Sequence, residues 1–396
     1  MSALNVLRRP LSAIQEFLRD TSNGGKVLIA ASALALALAN SPAGKAYFAF
    51  LDLHGFGWSV QHAANDGLMS LFFLLVGLEI KREAVEGELS TWGQRALPAL
   101  AALGGMIVPA LVYVTVNAGA PATLRGWAIP TATDIAFALA VLSLLGPRVP
   151  LSLSILLTSL AIVDDLGAVL VIALFYTDRI DGLALAGAGV VFALLCLLNA
   201  AGVRRLVPYL CLGAGLWVLV LRSGIHPTIA GVLLAATIPL KTRSAADDGA
   251  HAPLHRLEHG LQRFVSFAVV PLFGFANAGL DLSALSLADL GKPVTLGVAL
   301  GLFLGKQAGV MLFIWAAIRT GLARMPAQAG WRQIYGVALL CGIGFTMALF
   351  INLLAFPDSG HAMEAKLGVL LGSLAAALAG AAVLRSCPVV REDDNL

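Results

Sequence analysis

Long apolar stretches, separated by short polar segments, follow one another from residue 24 to residue 385 of the chain. An α-helix needs about 20 mostly apolar residues to cross the ~30 Å hydrocarbon core of a bilayer. Twelve stretches satisfy this length, although only Arg222, Ser223 and Gly224 separate the seventh from the eighth. The predicted spans are 24–42, 67–85, 95–117, 122–145, 150–176, 182–201, 205–221, 223–240, 258–280, 293–318, 333–356 and 364–385. The pattern therefore predicts an all-α polytopic membrane protein.

Composition supports this fold class and excludes several others. Hydrophobic residues make up 59% of the 396 residues and charged residues only 12%, whereas a soluble domain carries about 25% charged residues. Disorder, which needs low hydrophobicity and high charge, is excluded. A net charge of +3 without a basic face argues against nucleic acid as a partner. We expect a single domain, with 1–23 as a cytoplasmic N-terminus, 24–385 transmembrane and 386–396 as a cytoplasmic tail.

Lysine and arginine are unevenly distributed among the segments that connect the spans. With both termini on the cytoplasmic side, 18 basic residues fall in cytoplasmic segments and 6 in outer segments. The positive-inside rule predicts such a bias. Because an error of one span would scramble it, the charges favour twelve spans over eleven or thirteen.

Two predicted spans are interrupted by residues that break helices. The fourth contains Pro130 followed by the polar run 131–134, and the eleventh contains the segment 341–344, which reads Cys-Gly-Ile-Gly. These are the middle helices of two triplets, spans 3–5 and 10–12, which are offset by an odd number of spans and so insert in opposite directions. Paired interrupted helices in an inverted repeat are typical of a transporter with a site near the bilayer midplane. We therefore interpret the chain as one membrane transporter domain.

Only four charged residues lie deep inside the predicted spans, namely Asp134, Asp164, Asp165 and Lys306. Each costs a few kcal/mol in hydrocarbon, so unneeded charges are rare there. At a rise of ~1.5 Å per residue, Asp164 lies about 21 Å into its helix. Similar arithmetic brings the other three close to the midplane. One shared polar site is therefore expected.

Asp164 and Asp165 are adjacent on one predicted helix, about 100° apart, so both can border one cavity. Two close carboxylates in a low-dielectric environment cannot both ionise cheaply, and the pair is expected to titrate in two macroscopic steps. A hard monovalent cation prefers oxygen ligands and can replace the protons. Competition between proton and cation for one site is the chemistry of an exchanger. The alternative is a purely structural pairing with basic residues, although Lys306 alone lies at that depth.

Lys306 and Asp134 each allow two interpretations. Lys306 follows glycines at 297, 301 and 305, whose smooth face lets another backbone approach closely. It can form an ion pair that protonation or cation binding breaks, or serve as a structural counter-charge. Asp134 can stabilise the positive end of a half-helix, or it can bind a cation together with Thr133.

Two groups of titratable residues lie at the cytoplasmic ends of spans. Glu79, Arg82 and Glu83 share a helix face at the end of the second span. Arg256, Glu258 and His259 lie with His255 at the start of the ninth. Histidine titrates near neutrality, so the groups can sense pH. The other interpretation is an ordinary charged rim.

Enzyme signatures are missing from the chain. It has no His-Glu-x-x-His zinc motif, no Gly-x-Gly-Asp and no cofactor fingerprint. We expect neither an enzyme nor a bound cofactor. The longest outer loop, 43–66, is rich in aromatic residues and is expected to form a small hairpin or an interfacial patch.

Taken together, these residues resemble the NhaA-type sodium/proton antiporter family over roughly residues 20–385. Six blocks carry the resemblance. They are Phe72–Glu83, Gly126–Leu139, Ala161–Ala168, Arg256–His259, Phe275–Gly279 and Cys341–Met347.

The resemblance implies twelve helices, with the fourth and eleventh unwound and crossing at the midplane of a bacterial inner membrane. It implies electrogenic export of Na⁺ or Li⁺ in exchange for protons, with activity that rises at alkaline pH. It implies that Asp164 and Asp165 bind the Na⁺ or Li⁺ and the protons, and that Thr133 is a candidate ligand. Asp134 would compensate the half-helix ends and Lys306 would pair with Asp164. The implied pH-response residues are Glu79, Arg82, Glu83, Glu258 and His259, and the loop 43–66 would form a homodimer contact.

The chain departs from the family pattern at three positions. Gln307 stands where proline is expected after Lys306, His255 where lysine is usual, and Gln262 where a further histidine occurs. These departures concern the pH response more than the transport chemistry. The competing functions are a channel or an organic-solute symporter that is built from the same inverted repeat, and an intramembrane hydrolase. The small number of polar midplane residues argues against an organic substrate, and the missing catalytic motifs argue against a hydrolase.

Overall fold

The computed structural model describes residues 4–55, 57–86, 92–177, 180–240, 252–357 and 360–388. Within these ranges the regular secondary structure is helical apart from one two-stranded hairpin. The helices are α1 (Leu4–Ala39), α2 (Gly44–Leu51), α3 (Val60–His62), α4 (Met69–Val85), α5 (Trp92–Asn117), α6 (Ile135–Ser143), α7 (Leu151–Phe175), α8 (Gly182–Ala200), α9 (Leu206–Ser223), α10 (Thr228–Thr237), α11 (Pro253–Phe264), α12 (Val270–Ala278), α13 (Pro293–Leu300), α14 (Lys306–Arg319), α15 (Trp331–Leu340), α16 (Phe345–Ala355) and α17 (His361–Arg385).

Shorter helical turns of two other kinds connect or extend these helices. The 3₁₀ segments are Pro121–Thr131, Gly146–Arg148, Leu282–Ala284 and Leu287–Gly291. The π turns are Ala63–Leu68, Val265–Val269 and Gly301–Gly305. Each π turn lies inside a membrane span and continues directly into the next α-helix.

Among the described residues, eleven of the twelve predicted spans correspond to a helix or a helix pair that is long and apolar enough to cross a membrane. Nine helices are long and apolar enough to cross a membrane, and two further spans are bent helix pairs. The twelfth is the shorter apolar helix α10. The bent pairs are the fourth and eleventh spans, so the prediction of two interrupted helices, each in the middle of a triplet, is confirmed.

Two boundaries differ from the hydropathy pattern. Helix α1 begins at Leu4, twenty residues before the first apolar stretch. Helix α10 has only 10 residues, about 15 Å of helix, which is half the hydrocarbon thickness. Hydropathy reports the part of a helix that faces lipid or a core, whereas backbone hydrogen bonding decides where the helix begins and ends.

The break between the seventh and eighth spans follows from glycine chemistry. Gly224 ends α9 with φ of +84°, a left-handed conformation that favours glycine. Helix α10 then packs closely on α4 through two glycines. A Cβ at Gly231 would lie 2.4 Å from the Ser70 carbonyl oxygen, and one at Gly77 would lie 2.7 Å from Cβ of Ala235. Backbone proximity holds the short helix inside the bundle.

The outer loop contains the hairpin that was one of the two expectations for 43–66. Strand β1 (His54–Gly55) pairs antiparallel with β2 (Trp58–Ser59). The Trp58 ring lies 5.7 Å from the Trp217 ring of α9. The hairpin is thus connected to the helices at one edge of the bundle.

Buried apolar side chains form two clusters. The smaller joins α8, α9 and α10 to one side of α4, and α8 contributes only Ala188 and Leu195 to it. The larger contains the broken spans together with α5, α7, α14 and α17. All four deep charges belong to helices or connections of the larger cluster.

Candidate functional site

The two broken helices meet at their breaks. The fourth span bends by 45° between Thr131 and Ile135, and the eleventh bends by 42° between Leu340 and Phe345. At the crossing, the amide N–H of Asp134 donates a 2.7 Å hydrogen bond to the carbonyl oxygen of Ile343. Proline at position 130 and the glycines at 342 and 344 favour these breaks, because they remove a backbone donor or weaken the helix. The sequence therefore leaves unpaired backbone groups in the interior of the bundle.

Asp134 lies between the N-terminal ends of the two half-helices α6 and α16. Its Oδ1 accepts from the Phe137 amide at 2.9 Å. Its Oδ2 accepts from the Thr346 amide at 3.0 Å and from the Thr346 hydroxyl at 2.5 Å. Since helix N-termini carry partial positive charge, one buried carboxylate satisfies both ends at once. The geometry favours the compensating interpretation of Asp134 over direct cation ligation.

Lys306 and Asp164 form a buried ion pair. The Lys306 Nζ lies 2.5 Å from Oδ2 of Asp164, and neither side chain is exposed. Lys306 also donates to the carbonyl oxygen of Thr131, which the break in the fourth span leaves free. Removing one member of a buried pair strands the other charge, so the two side chains depend on each other.

Thr133 connects this pair to the eleventh span. Its hydroxyl lies 2.7 Å from Oδ2 of Asp164 and 2.9 Å from the carbonyl oxygen of Cys341. A hydroxyl has a single proton, so it can donate fully to one of these acceptors at a time. A change in the charge of Asp164 would therefore be felt at the break of the other helix.

Asp165 is buried beside this network, at 2% exposure. Its Oδ1 has no hydrogen-bond partner within the described part of the chain, and neither has Oδ1 of Asp164. A buried, unpaired carboxylate oxygen is unfavourable unless a proton or a cation occupies it. Across the described ranges there is no group of three His, Cys, Asp or Glu side chains that would hold a metal ion. Two carboxylates with nearby hydroxyl and carbonyl oxygens suit a hard monovalent cation or protons.

Glycine contacts fix the position of Lys306. A Cβ at Gly305 would lie 2.6 Å from Cα of Pro109, and one at Gly309 would lie 2.1 Å from the carbonyl oxygen of Gly104. Helices α14 and α5 are therefore in backbone contact on both sides of the lysine. The predicted smooth glycine face is present, and its partner is the third span.

The titratable residues at the ends of α4 and α11 form a second cluster. Nε of Arg82 lies 2.8 Å from Oε1 of Glu258, and another guanidinium nitrogen lies 2.7 Å from Oε1 of Glu83. Glu79, at 5% exposure, lies one turn earlier on α4. The two groups predicted separately from sequence are thus joined through Arg82.

The histidines of α11 differ in their surroundings. Nε2 of His255 lies 3.0 Å from Glu86, and its Nδ1 lies 3.9 Å from Glu258. His259 is exposed, and within the described ranges its side chain forms no hydrogen bond or ion pair. Gln262 is buried and donates to the Thr21 hydroxyl at 3.2 Å. The structure therefore brings His255, rather than His259, to the carboxylates.

We call Thr133, Asp134, Asp164, Asp165 and Lys306 the midplane network. Sequence reasoning missed three of their partners. These are the carbonyl oxygens of Thr131 and Cys341 and the side chain of Thr346. The helix-breaking residues beside them were the available signal, since a broken helix must expose carbonyl oxygens. Which carbonyl is freed depends on the direction of the bend, and a sequence does not specify that.

The family model described as Na+/H+ antiporter 1 matches residues 15–384. This chain belongs to the Na⁺/H⁺ antiporter family. The Na(+)/H(+) antiporter NhaA of Caulobacter vibrioides is 59% identical over 376 residues, which cover 95% of this chain and 91% of the relative. That of Mesorhizobium japonicum is 57% identical, with 96% of both chains covered. The protein of the same name from Paramagnetospirillum magneticum is 56% identical, covering 96% of this chain and 98% of its own.

Membership of this family agrees with the resemblance found from the sequence motifs. Together with the apolar helices, it makes the chain an integral membrane protein of a transporter family. The residues that form the midplane network lie within the matched range, as do those of the Arg82 cluster.

Proposed function

We propose that this protein is an electrogenic, pH-regulated antiporter that exports Na⁺, and also Li⁺, in exchange for protons. Family membership supports the class of transport, since all three relatives carry the name Na(+)/H(+) antiporter. The geometry of the midplane network supports the mechanism.

The observation that carries the proposal is the pair of buried, unpartnered Oδ1 atoms of Asp164 and Asp165. With protons on the pair, the carboxyls are neutral and tolerate the low dielectric. With the protons gone, two negative charges side by side attract a cation. Asp165, Asp164 and the hydroxyl of Thr133 would supply oxygen ligands to the Na⁺ or Li⁺.

Lys306 makes the exchange obligatory in this scheme. Its ammonium already neutralises Asp164 at 2.5 Å. A cation that approaches Asp164 must displace this ammonium, and a returning proton or lysine must displace the cation. Either way, Na⁺ and protons do not occupy the pair together.

Asp165 and the Lys306–Asp164 pair together also account for electrogenic exchange. If Asp165 gives up one proton and the Lys306–Asp164 pair gives up a second for each cation that binds, a net positive charge crosses the membrane in every cycle. The inward proton movement then uses the membrane voltage, and the voltage drives Na⁺ outward. Movement of the crossed half-helices, which Asp134 holds together, would expose the pair alternately to each side.

The uneven distribution of lysine and arginine supports a bacterial inner-membrane orientation with both termini in the cytoplasm. The Arg82 cluster then lies on the cytoplasmic side, where protonation of Glu79, Glu83, Glu258 or a neighbouring histidine would adjust the activity to pH. The hairpin in the 43–66 loop would be the contact in a homodimer within the lipid bilayer. The single transporter domain would comprise the entire chain.

Everted membrane vesicles test the proposal. In vesicles with a preformed pH gradient, addition of Na⁺ or Li⁺ should collapse the gradient, and Asp165→Asn should abolish the response. The matched control is Asp281→Asn, which removes a carboxylate from a connecting segment outside the spans and should leave transport intact. Full exchange by Asp165→Asn would disprove the carboxylate mechanism.

The same vesicles distinguish the competing functions. A symporter would need an added organic solute before Na⁺ affected the gradient. A channel would pass current without moving protons. Collapse of the gradient by Na⁺ alone, with its rate increased by an imposed voltage, is the result expected of an electrogenic antiporter.

A further inference from the structure

A cavity of about 630 Å³ lies where the tenth span ends and the eleventh begins. It is lined by Trp315, Ile318 and Arg319 of α14 and by Trp331 of α15. Both tryptophans are large and partly open, with 52% and 41% of their surfaces exposed. Trp331 is the first residue of its helix and Arg319 the last of its own. The cavity is therefore at the end of the bundle, remote in sequence and position from Asp164 and Asp165.

Positive charge in the connection between the tenth and eleventh spans is not balanced by acidic residues of the same part of the chain. Between positions 293 and 357 the chain contains no aspartate or glutamate. Arg319, Arg324 and Arg332 are all exposed, and none of them forms an ion pair in the ranges that the structure describes. The tenth-to-eleventh connection thus presents three arginines that lack a partner within the described chain.

The helix face that leads to the cavity is apolar and open. Leu312, Trp315 and Arg319 are three and four residues apart, so they lie on one face of α14. Leu312 is 53% exposed. This face therefore runs from an apolar strip, past a tryptophan, to a guanidinium. Tryptophan is enriched where hydrocarbon meets lipid headgroups, and basic residues follow it on the cytoplasmic side.

We propose that this cavity binds an anionic phospholipid. The phosphate would be held by Arg319, whose planar guanidinium offers two parallel donors to phosphate oxygens. The glycerol region would lie between Trp315 and Trp331, and an acyl chain would follow Leu312. Basic pockets between membrane helices are suited to anionic headgroups. A zwitterionic lipid fits the apolar strip equally well but leaves the excess positive charge unbalanced, so the charge favours the anionic one.

The orientation of the chain agrees with this ligand. The connection between the tenth and eleventh spans lies on the cytoplasmic side in the positive-inside arrangement. A headgroup with net negative charge gains about fivefold in local affinity for each arginine near the surface. The site goes beyond the exchange of Na⁺ and protons, because none of its residues belongs to the midplane network.

Quenching of tryptophan fluorescence by brominated lipids tests the proposal. The full chain is reconstituted in phosphatidylcholine vesicles that contain increasing fractions of brominated phosphatidylglycerol or brominated phosphatidylcholine. The chain has six tryptophans, so the contribution of the cavity is taken as the difference between the wild type and Trp315→Phe/Trp331→Phe. We expect half of the cavity's tryptophan fluorescence to be quenched at a fraction of brominated phosphatidylglycerol about fivefold lower than the fraction of brominated phosphatidylcholine that has the same effect.

Two variants and one salt complete the test. Arg319→Gln should remove the preference for phosphatidylglycerol. Arg222→Gln, at the exposed end of α9, removes the same charge elsewhere and should keep the preference. Equal quenching by both lipids, or a preference that survives in Arg319→Gln, would overturn the proposal. So would loss of the preference in Arg222→Gln, or its abolition by inorganic phosphate, which would identify a soluble anion as the ligand.

Discussion

The hydroxyl of Tyr335 donates a 2.7 Å hydrogen bond to Oε1 of Gln307, the residue that follows Lys306. The side-chain amide of Gln307 donates in turn, through Nε2, to the carbonyl oxygen of Phe303 at 2.6 Å. Phe303 belongs to the π turn Gly301–Gly305, and Tyr335 belongs to the half-helix that ends beside Cys341. The segment that carries Lys306 is thus connected to the eleventh span. Proline at position 307, which the family resemblance led us to expect, has no side-chain acceptor for this bond.

Loss of this hydrogen bond should alter transport rather than folding. Tyr335→Phe leaves the half-buried acceptor of Gln307 unpaired, an effect of about 1 kcal/mol or roughly fivefold in an equilibrium. In vesicles, we expect the apparent KM for Na⁺ to change about fivefold, or the pH of half-maximal exchange to move by about 0.7 unit. Tyr209→Phe removes a comparable bond, 3.0 Å to the Val203 carbonyl oxygen, and is the control. Transport curves for Tyr335→Phe that coincide with the wild type would contradict the coupling.

The Lys306–Asp164 pair should behave as a unit in stability measurements. Lys306→Gln or Asp164→Asn alone leaves an uncompensated charge in the bundle and should destabilise the protein by about 3–5 kcal/mol. The double variant Asp164→Asn/Lys306→Gln should regain most of the lost Tm, although none of the three should exchange Na⁺ for protons normally. Thermal unfolding in detergent measures this. A double variant with the summed loss of both singles would refute the mutual dependence.

Thr133 should affect cation affinity more than maximal rate. Thr133→Val removes the hydroxyl that lies within hydrogen-bonding distance of both Asp164 and Cys341. Since its single proton bonds fully to one acceptor at a time, the loss of one bond to a charged group, about 1.5 kcal/mol, predicts a rise of roughly tenfold in KM for Na⁺. Thr133→Ser keeps the hydroxyl and should stay near the wild type. Thr237→Val, whose hydroxyl bonds only to the Leu234 carbonyl oxygen, is the matched control. An unchanged KM in Thr133→Val would exclude Thr133 as a ligand.

The two histidines of α11 should contribute unequally to the pH response. His255 contacts Glu86 and Glu258, and Glu258 in turn pairs with Arg82. Because partly exposed pairs are worth at most about 1 kcal/mol, His255→Gln should displace the pH profile of exchange by roughly half a unit. His259→Gln alters an exposed side chain and should leave the profile in place. A larger displacement in His259→Gln than in His255→Gln would reverse the assignment.

A carboxylate in the connection that precedes α13 should stabilise the protein without taking part in the pH response. Lys292 donates to Asp289 at 2.6 Å, and with two bonds from Ser286 it lowers the pKa of Asp289 to about 2. Stability from a lowered carboxyl pKa is complete above the ordinary value near 4 and is lost as the pH falls through about 2.

The variant Asp289→Asn should therefore lower the Tm by the same amount throughout the range from about pH 6 to 9. The difference from the wild type should narrow below about pH 4, because the carboxylate of the unfolded chain takes up a proton there while the native one stays ionised until about pH 2. The pH profile of exchange should not move. A difference in Tm that grows between pH 6 and 9 would mean that another group titrates with Asp289.

Hydropathy was sufficient to predict the architecture because lipid removes most alternatives. A chain that crosses hydrocarbon must satisfy its backbone internally, so each apolar stretch of sufficient length is a helix. The exceptions have physical causes. Helix α10 is short because Pro227 directly precedes it and Pro239 follows it, so that Ile238 is extended, with ψ of 129°. Helix α1 continues through the segment 4–23, which includes Pro10, and hydropathy gives no signal for its start.

The candidate site was predicted through the scarcity of charge. Four deep charges and an estimate of depth were enough to bring Asp164, Lys306 and Asp134 into one network. The backbone partners could not be predicted, since the carbonyl oxygens of Thr131 and Cys341 become available only when the helices bend in a particular direction. The identity of the contacting histidine was also beyond the sequence, because His255 and His259 are a single turn apart.

The backbone contact between Gly104 and Gly309 has a consequence for how tightly protons are retained by the membrane. At this contact the two helices are too close for even a water molecule to fit between them. A file of water past Lys306 would let protons slip inward and dissipate the membrane voltage with no sodium expelled. Because these two residues have no side chains, the helices approach closely enough to keep water out of the space between them. A larger residue at either position would force α5 and α14 apart and open a path for water beside Lys306.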